Sequence, residues 1–300
     1  GHPKEIGGGG VPFMPFVYLN EVIGRSHWGQ AAVGTLSMQD SIMLYQYAND
    51  EQRDRYLMPM VNGEIYPSVG LTEPAVAGSD PTQMQTTAEL DGDEWILNGQ
   101  KIWTSAGHLA DHIFTLARTD PDGPKHKGIS FMLVPMNQPG IEVRPIKMIS
   151  GDSEFNEVFY TDARVPKDNI VGGLNNGWAV AMSLLGFERG EAAATAPIRF
   201  QAEIERLTAM AKERGLADDP VIRQRLAWCH SKVRIMRFLG MRVLTQFLNG
   251  HHPGPDAAIG KLFWSEYHKI VTELAMDVLG ADALFIQSIA DADDHSKRSV

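Results

Sequence analysis

The sequence predicts a mainly α-helical fold with a β unit at its centre, and two changes of hydrophobic period carry this prediction. Apolar residues recur with helical spacing from residue 13 to about 64, with a period of two from 67 to roughly 173, and with helical spacing again after Gly177. Short strands separated by turn residues are typical of a small barrel or sandwich rather than of βαβ units.

The first part of the chain is expected to contain several helices. Phe16, Leu19 and Ile23 mark one apolar face, and a second helical stretch covers residues 41–47. Asn49 is expected to be the N-cap of a further helix, because its side chain can accept a backbone N–H of the first turn.

The central part is expected to begin with a hairpin. Residues 86–90 and 95–97 read as strands, and Asp91-Gly92-Asp93 between them is a turn signal. Turn residues separate the remaining strand candidates, which are 112–117, 129–134, 141–144 and 157–160.

The last part is expected to be a bundle of long helices. Pro220 stands just inside a helix start with Asp219 as its cap, and another helix runs from about Asp256 to Leu279, with Gly280 as its stop. One apolar stripe follows the helix that starts at Pro220, and it consists of Ile222, Leu226, Cys229, Val233 and Met236.

Composition excludes several classes of protein. A net charge of −10 disfavours non-specific binding to nucleic acid or anionic lipid, and the single cysteine excludes an internal disulfide framework. His251 and His252 are expected in an exposed loop, with no metal site. No apolar stretch approaches the roughly 20 residues of a membrane span, and no export leader is visible. We therefore expect a cytoplasmic protein, or a mitochondrial matrix protein in a eukaryote.

Residues 70–80 read GLTEPAVAGSD and form the most informative stretch. Small residues let backbone N–H groups approach a ligand closely, and Thr72 and Ser79 add hydroxyl donors. The alternative is a turn-rich connection between strands without a ligand.

Residues 98–107 read NGQKIWTSAG and place an aromatic side chain and a hydroxyl two positions apart. Trp103 and Ser105 can therefore point to the same side of a strand. The alternative is that Trp103 is an ordinary core residue.

These two motifs resemble those of the acyl-CoA dehydrogenase family, whose flavin loop reads Thr-Glu-Pro-Gly-Ala-Gly-Ser-Asp and whose next strand reads Gly-x-Lys-x-Trp-Ile-Thr-Asn. The loop of this chain has one residue more. The resemblance covers essentially the whole chain, with further matches at residues 2–8, 128–131, 163–166, 169–172, 177–178 and 187–189. It implies a helical N-terminal domain at 1–66, a central β-barrel domain at 67–174 and a C-terminal helical bundle at 175–300.

The resemblance implies FAD as cofactor and assigns the residues that would hold it. Leu71 and Thr72 would contact the pyrimidine side, Trp103 would pack on the flavin, and Ser105 would offer its hydroxyl near N5. Arg214 falls where a family arginine reaches the FAD pyrophosphate of a neighbouring subunit. Two residues are the candidates for contacts with the acyl-CoA substrate, Ser79 and Arg189.

The family reaction needs a carboxylate that takes the α-proton while hydride leaves Cβ for flavin N5. Many members place this glutamate in a Tyr-Glu-Gly-Thr loop after the last long helix, and this sequence contains no such stretch. A branch exemplified by isovaleryl-CoA dehydrogenases places it in Leu-x-x-Glu-Arg, which residues 185–189 match, so Glu188 is the predicted base.

Three alternatives to this assignment stay open. Glu188 could be an ordinary ion-paired glutamate of a helix, the base could lie beyond Val300 in a longer protein, or the chain could be a subunit without a base beside a catalytic partner. The missing late loop also supplies an oxyanion N–H in the family. We therefore expect the chain to be part of a longer enzyme, without its extreme N-terminus and late loop.

The implied partners are an acyl-CoA substrate and an electron-transfer flavoprotein as electron acceptor. A homodimer or homotetramer is expected, and a hetero-oligomer is the alternative. An acyl-CoA oxidase and a non-catalytic partner subunit are the rival functions. The position of Glu188 favours branched or bulky acyl groups, whereas acyl length is not readable from the sequence.

Overall fold

The computed structural model describes residues 2–23, 29, 38–78, 80, 83–251 and 256–284. The chain divides into two compact units. One comprises residues 1–11 and 34–185, and the other comprises residues 12–33 and 186–300.

In the described part of the chain, helices precede and follow the strands. The α-helices are α1 Phe13–Ile23, α2 Met38–Tyr47, α3 Asp50–Gln52, α4 Met58–Val61, α5 Gly177–Glu213, α6 Pro220–Leu248 and α7 Asp256–Leu279. A π-helical turn, Arg53–Leu57, joins α3 to α4. The strands are β1 Pro67–Gly70, β2 Thr87–Asp91, β3 Glu94–Ser105, β4 His112–Arg118, β5 Ile129–Pro135, β6 Ile141–Ile146, β7 Phe155–Pro166 and β8 Ile170–Val171.

The predicted cap at Asn49 is confirmed. Gln52, the second residue of this cap, also joins the helix to the sheet. Asn49 Oδ1 accepts a hydrogen bond from Gln52 N at 2.8 Å, and Gln52 Oε1 accepts one from Asn49 N at 3.2 Å. Gln52 Nε2 donates to the carbonyls of Asp168 and Ile170 at 2.7 and 2.8 Å. The same side chain therefore closes the capping box and fixes α3 against β8.

The strands form one mixed sheet in the order β6-β7-β3-β2-β4-β5-β8, with β1 also paired to β4. β1 and β2 both run parallel to β4, and the other pairs are antiparallel. Because β5 occupies one edge of β4, β1 and β2 lie one after the other along its opposite edge. The chain from residue 71 to 86 therefore leaves the sheet at one point of this edge and returns further along it.

The predicted closed barrel is not confirmed. In the described part of the chain, β6 pairs only with β7, and β8 pairs only with β5, so the sheet is open. A barrel requires its first and last strands to pair with each other. A period-two pattern cannot separate these cases, because alternate residues are buried in open and closed sheets alike.

At β4 and β5 the sheet is buried on both faces. Along β5, Phe131 and Leu133 join one core while Met132 and Val134 join the other. The first core also receives side chains of the preceding helices, among them Met43, Leu44, Tyr56 and Leu57. The second core contains Trp95, Leu97, Ile113, Val158 and Tyr160.

Gly99 marks a close approach between β3 and the residue before β2. Its φ is +149°, and a Cβ there would lie 2.6 Å from Thr86 Oγ1 and 2.7 Å from Thr86 Cα. We expect Gly99→Ala to lower the free energy of unfolding by about 1–3 kcal/mol, because the backbone must shift. Denaturant unfolding measures this change.

Gly92→Ala is the matched control, since Gly92 also has a positive φ, +62°, but no atom lies within 4 Å of its added Cβ. It should show only the conformational cost of a left-handed alanine, about 1 kcal/mol. Equal losses in the two variants would contradict the assigned close approach.

The second unit has its own helical core. The predicted stripe on α6 is confirmed, since Ile222, Leu226, Cys229, Val233 and Met236 are all buried. They pack with Phe200, Ile204 and Leu207 of α5 and with Tyr267, Val271 and Leu274 of α7. Asp219 Oδ1 accepts hydrogen bonds from the backbone N–H groups of Val221 and Ile222 at 2.8 and 3.0 Å, which confirms the predicted cap.

Cys229 lies within this core, and burial raises the pKa of its thiol to about 11.

Among the described residues no group of three histidine, cysteine or acidic side chains could hold a metal ion. No described helix combines the length and the apolar character that crossing a membrane would require.

Candidate functional site

A buried glutamate closes the loop that connects β1 to β2. Glu73 Oε2 accepts a hydrogen bond from Gln85 N at 2.6 Å, and Glu73 Oε1 accepts one from Thr86 N at 3.0 Å. The start of the loop is thereby tied to its end. Residues 74, 75, 77 and 78 between these points are exposed.

Lys101 of β3 is the counter-ion of this glutamate. Its Nζ lies 2.8 Å from Glu73 Oε1, and the Lys101 and Glu73 side chains are only 0 % and 4 % exposed. Lys101 Nζ also donates to the carbonyl of Leu71 at 3.4 Å. One ammonium group therefore holds two residues of the predicted flavin loop against β3.

The Glu73 carboxyl is ionised at neutral pH. Burial by itself would raise its pKa, but the Lys101 charge and the hydrogen bonds from Lys101 and the 85–86 segment together lower that pKa below the ordinary value of 4.5.

A bulge in β3 directly follows Lys101, and Trp103 within it is exposed. Lys101 pairs with Val158 of β7 and Thr104 pairs with Asn156, so β3 has one extra residue between these pairs. Trp103 lies in the bulge with a φ of +61°. Its side chain is 56 % exposed, and its ring contacts Phe155 edge to face at 6.3 Å.

At the bulge, a backbone N–H of β3 bonds to the loop instead of to a neighbouring strand. Ile102 N donates to the carbonyl of Thr72 at 2.9 Å. Loop and strand are thus joined at two successive strand residues, Lys101 through its side chain and Ile102 through its backbone.

The segment after Trp103 is held in place by buried polar groups. Asn156 Nδ2 donates to the Thr104 carbonyl at 3.0 Å, and Ser68 Oγ donates to the Ser105 carbonyl at 2.7 Å. Ala106, with a φ of +51°, is fixed by its N–H bond to the carbonyl of Glu154. Two non-glycine residues with left-handed backbone in so short a stretch are costly, and such strain clusters at functional sites.

The structure brings four of the predicted residues together. Leu71 and Thr72 lie half-buried in the loop, and the bonds through Lys101 and Ile102 attach them to the strand that carries Trp103 and Ser105. Trp103 and Ser105 are both exposed, with buried Thr104 between them.

The other predicted residues lie outside the described part of the first unit or in the second unit. Ser79 lies outside the described residues, and Glu188 and Arg189 lie on α5 with side chains outside the described part. In the second unit, the Arg214 guanidinium donates to the Leu279 carbonyl at 3.1 Å and to Asp282 Oδ2 at 2.7 Å.

Sequence reasoning missed the groups that support the site. Glu73 and Lys101 stand inside the two quoted motifs but were not singled out, and Asn156 lies outside both. A charged residue in the middle of a strand pattern, with an opposite charge in a nearby loop motif, is the signal that could have found the pair.

The arrangement suits a planar aromatic ligand. An indole that is exposed although its neighbours on the strand, Lys101 and Thr104, are buried offers a flat apolar surface. The Ser105 hydroxyl and the pinned backbone of Leu71 and Thr72 supply polar partners for the edge of such a ring. The isoalloxazine system of a flavin fits this combination of groups.

Comparisons with known proteins agree in all three parts of the chain. Three domain models of one protein family match this chain. They are "Acyl-CoA dehydrogenase, N-terminal domain" at residues 1–64, "Acyl-CoA dehydrogenase, middle domain" at residues 68–163 and "Acyl-CoA dehydrogenase, C-terminal domain" at residues 175–297. The chain is 39% identical over 287 residues to acyl-CoA dehydrogenase IpdE1 of Mycobacterium tuberculosis, covering 93% of this chain and 72% of that protein.

Solved structures are similar as well. The Tcur3481-Tcur3483 steroid ACAD superposes with a TM-score of 0.85 at 32% identity, covering 95% of this chain and 73% of that one. The ChsE4-ChsE5 complex of Mycobacterium tuberculosis gives a TM-score of 0.82 at 29% identity, covering 95% and 74%.

Proposed function

Because this chain belongs to the acyl-CoA dehydrogenase family, a flavin-dependent family of oxidoreductases, we propose that it converts an acyl-CoA to the trans-2-enoyl-CoA with FAD as its cofactor. The observation that carries the proposal is the exposed Trp103 in a left-handed bulge, beside Ser105 and a loop pinned by its backbone. We also propose the three domains 1–66, 67–174 and 175–300.

In this proposal the first unit holds the flavin. Leu71 and Thr72 contact its pyrimidine edge, Trp103 covers one face and the Ser105 hydroxyl lies near N5. The bound flavin supplies the hydride acceptor of the reaction. What the chain contributes is orientation, because the strained segment from Trp103 to Ala106 is fixed by Asn156, Ser68 and the backbone of Glu154.

Glu188 is proposed as the base that takes the α-proton of the acyl thioester, with Ser79 and Arg189 as contacts to the substrate. The match of residues 185–189 to Leu-x-x-Glu-Arg supports this role. Arg214 is proposed to reach the FAD pyrophosphate of a neighbouring subunit. A guanidinium has five N–H donors, so its bonds to Leu279 and Asp282 leave donors for a phosphate.

We propose an acyl group bulkier than a straight chain as the substrate class. The early position of the glutamate supports this choice, as does the structural likeness to an acyl-CoA dehydrogenase described as a steroid ACAD. An electron-transfer flavoprotein is the proposed electron acceptor, and a homodimer or homotetramer is the proposed assembly.

Anaerobic bleaching of the bound flavin tests the reaction. The protein is purified with its flavin and mixed with straight-chain, branched-chain and steroid side-chain acyl-CoAs in the absence of oxygen. We expect the absorption band of the oxidised flavin to disappear with the bulky thioesters. A protein that binds no flavin would contradict the proposal, and rapid turnover with oxygen alone would indicate an oxidase.

A second candidate function is a partner subunit of a hetero-oligomer. The ChsE4-ChsE5 complex, a solved structure with two named components, favours keeping this alternative. It predicts that bound flavin is bleached only after a second, base-containing chain is added.

A further inference from the structure

We infer that the Glu73–Lys101 ion pair positions the two sides of the flavin site relative to each other, although neither residue is proposed to touch the flavin. This inference rests on the proposed function. It concerns a pair of positioning residues rather than catalytic ones, and it assigns them a measurable effect on flavin binding.

The pair lies where the two sides of the site meet. On the loop side, Glu73 follows Leu71 and Thr72 directly, and Lys101 Nζ also binds the Leu71 carbonyl. On the strand side, Lys101 is two residues before Trp103. The bond from Ile102 N to the Thr72 carbonyl runs between these two contacts, so pyrimidine-side and ring-side residues share one anchor.

The same carboxylate keeps the loop closed. Its two oxygens accept the N–H groups of Gln85 and Thr86, at the point where the chain re-enters the sheet. Loss of the charge at Glu73 would weaken three contacts, one to β3 and two to the far end of the loop. The exposed residues 74, 75, 77 and 78 have no comparable burial to hold them.

The stem of Lys101 reinforces this geometry. A Cβ at Gly70 would lie 3.2 Å from Lys101 Cγ and 3.0 Å from Ile113 Cδ1, so the stem packs closely against the end of β1. The closely packed stem therefore fixes the position at which the Lys101 ammonium contacts the loop. A buried ion pair contributes little stability beyond that of an apolar pair, but it has few satisfied arrangements and so can specify one geometry.

Flavin release from the loaded protein tests the inference. Wild type, Glu73→Gln and Lys101→Met are diluted in steps, and released flavin is measured by its fluorescence to give a dissociation constant. We expect the dissociation constant to rise on the order of tenfold in both variants, the lower end of the loss found when groups that orient metal ligands are removed. Glu73→Gln has the same shape as the native side chain, so it decides the question if Lys101→Met does not fold.

Glu94→Gln is the matched control on the same strand. It removes a carboxylate from the Glu94–Arg164 pair, which has the same 2.8 Å separation but is exposed on both sides. We expect its flavin dissociation constant to equal that of the wild type.

Peptide-level amide exchange on the same samples gives a second readout. Faster exchange at residues 71–73 and 101–103 in Glu73→Gln, with the rest of the sheet unchanged, is the expected result. A folded Glu73→Gln that releases flavin like the wild type would overturn the inference and leave the proposed function intact. A wild type that never holds flavin would overturn both.

Discussion

Glu188→Gln is expected to slow the bleaching of the flavin by acyl-CoA by about 10²–10⁴-fold while flavin binding persists. The amide has nearly the same shape as the carboxylate but cannot accept the α-proton, and general bases typically contribute rate factors of this size. Rapid-mixing absorption under anaerobic conditions measures the rate, and the spectrum before mixing shows whether flavin is still bound.

Glu205→Gln makes the same charge change on the same helix, α5, at an exposed position where the carboxylate accepts a hydrogen bond from Gln201. Its bleaching rate should match that of the wild type. If Glu188→Gln also reacts at the full rate, the base is another residue or belongs to another chain.

Lys101→Met is expected to lower the free energy of unfolding by about 3–5 kcal/mol, the largest stability change that we predict. It leaves the Glu73 carboxylate buried without its counter-ion, and breaking one side of a buried pair typically costs this much. Equilibrium unfolding in denaturant, monitored by tryptophan fluorescence, measures the loss.

Lys269→Met is the control for loss of a lysine charge. The Lys269–Glu266 pair is separated by 3.2 Å, and its side chains are 68 % and 60 % exposed. Exposed pairs contribute about 0–1 kcal/mol, so this variant should unfold almost like the wild type. Similar losses of unfolding free energy in both variants would show that the buried Glu73–Lys101 pair contributes no more to stability than an exposed pair.

The cost of Lys101→Met should depend on pH in a defined direction. In the wild type the folded-state pKa of Glu73 lies below 4.5, so its stabilising contribution is fully present above that pH and is lost as pH falls through the folded-state pKa. Without Lys101, burial raises the pKa of Glu73, and the variant gains a proton more readily in acid. The difference between the two proteins should therefore be largest near pH 7. It should begin to shrink above pH 4.5, as pH falls through the raised pKa of Glu73 in the variant, and shrink further below pH 4.5 as the wild type loses its own contribution. A difference that is constant with pH would contradict this electrostatic cause.

The resemblance in the sequence assigned Leu71, Thr72, Trp103 and Ser105 to the candidate site. The fold explains how these residues are held in place. The family resemblance assigned Trp103 and Ser105 to the flavin, and their spacing predicted only a shared side of a strand. The exposure of Trp103 accompanies a bulge and a φ of +61°. Nothing in the local sequence requires a tryptophan to adopt a left-handed backbone. The bulge exists because β3 pairs with β7, some fifty residues further along the chain, and with the loop before β2.

The sequence by itself determined the features that arise from residues close together in the chain. The cap at Asn49, the hairpin around Gly92 and the Asp219 cap depend on contacts between residues that are close in the chain. The apolar stripe of α6 is visible as a helical period in the sequence. Helix and strand periods are likewise visible locally, which is why the order of helices, then strands, then long helices was predicted correctly, although the short strands β1 and β8 were not predicted.

Only the tertiary structure decided the features that depend on pairing across the chain. These are the open sheet in place of a closed barrel, the shared edge of β4 that carries β1 and β2, and the buried contact between Glu73 and Lys101. The physical reason is the same in each case. The local sequence around a charged residue or an edge strand is the same whether or not that residue or strand is paired. The pairing depends on how residues that are distant in the chain pack together.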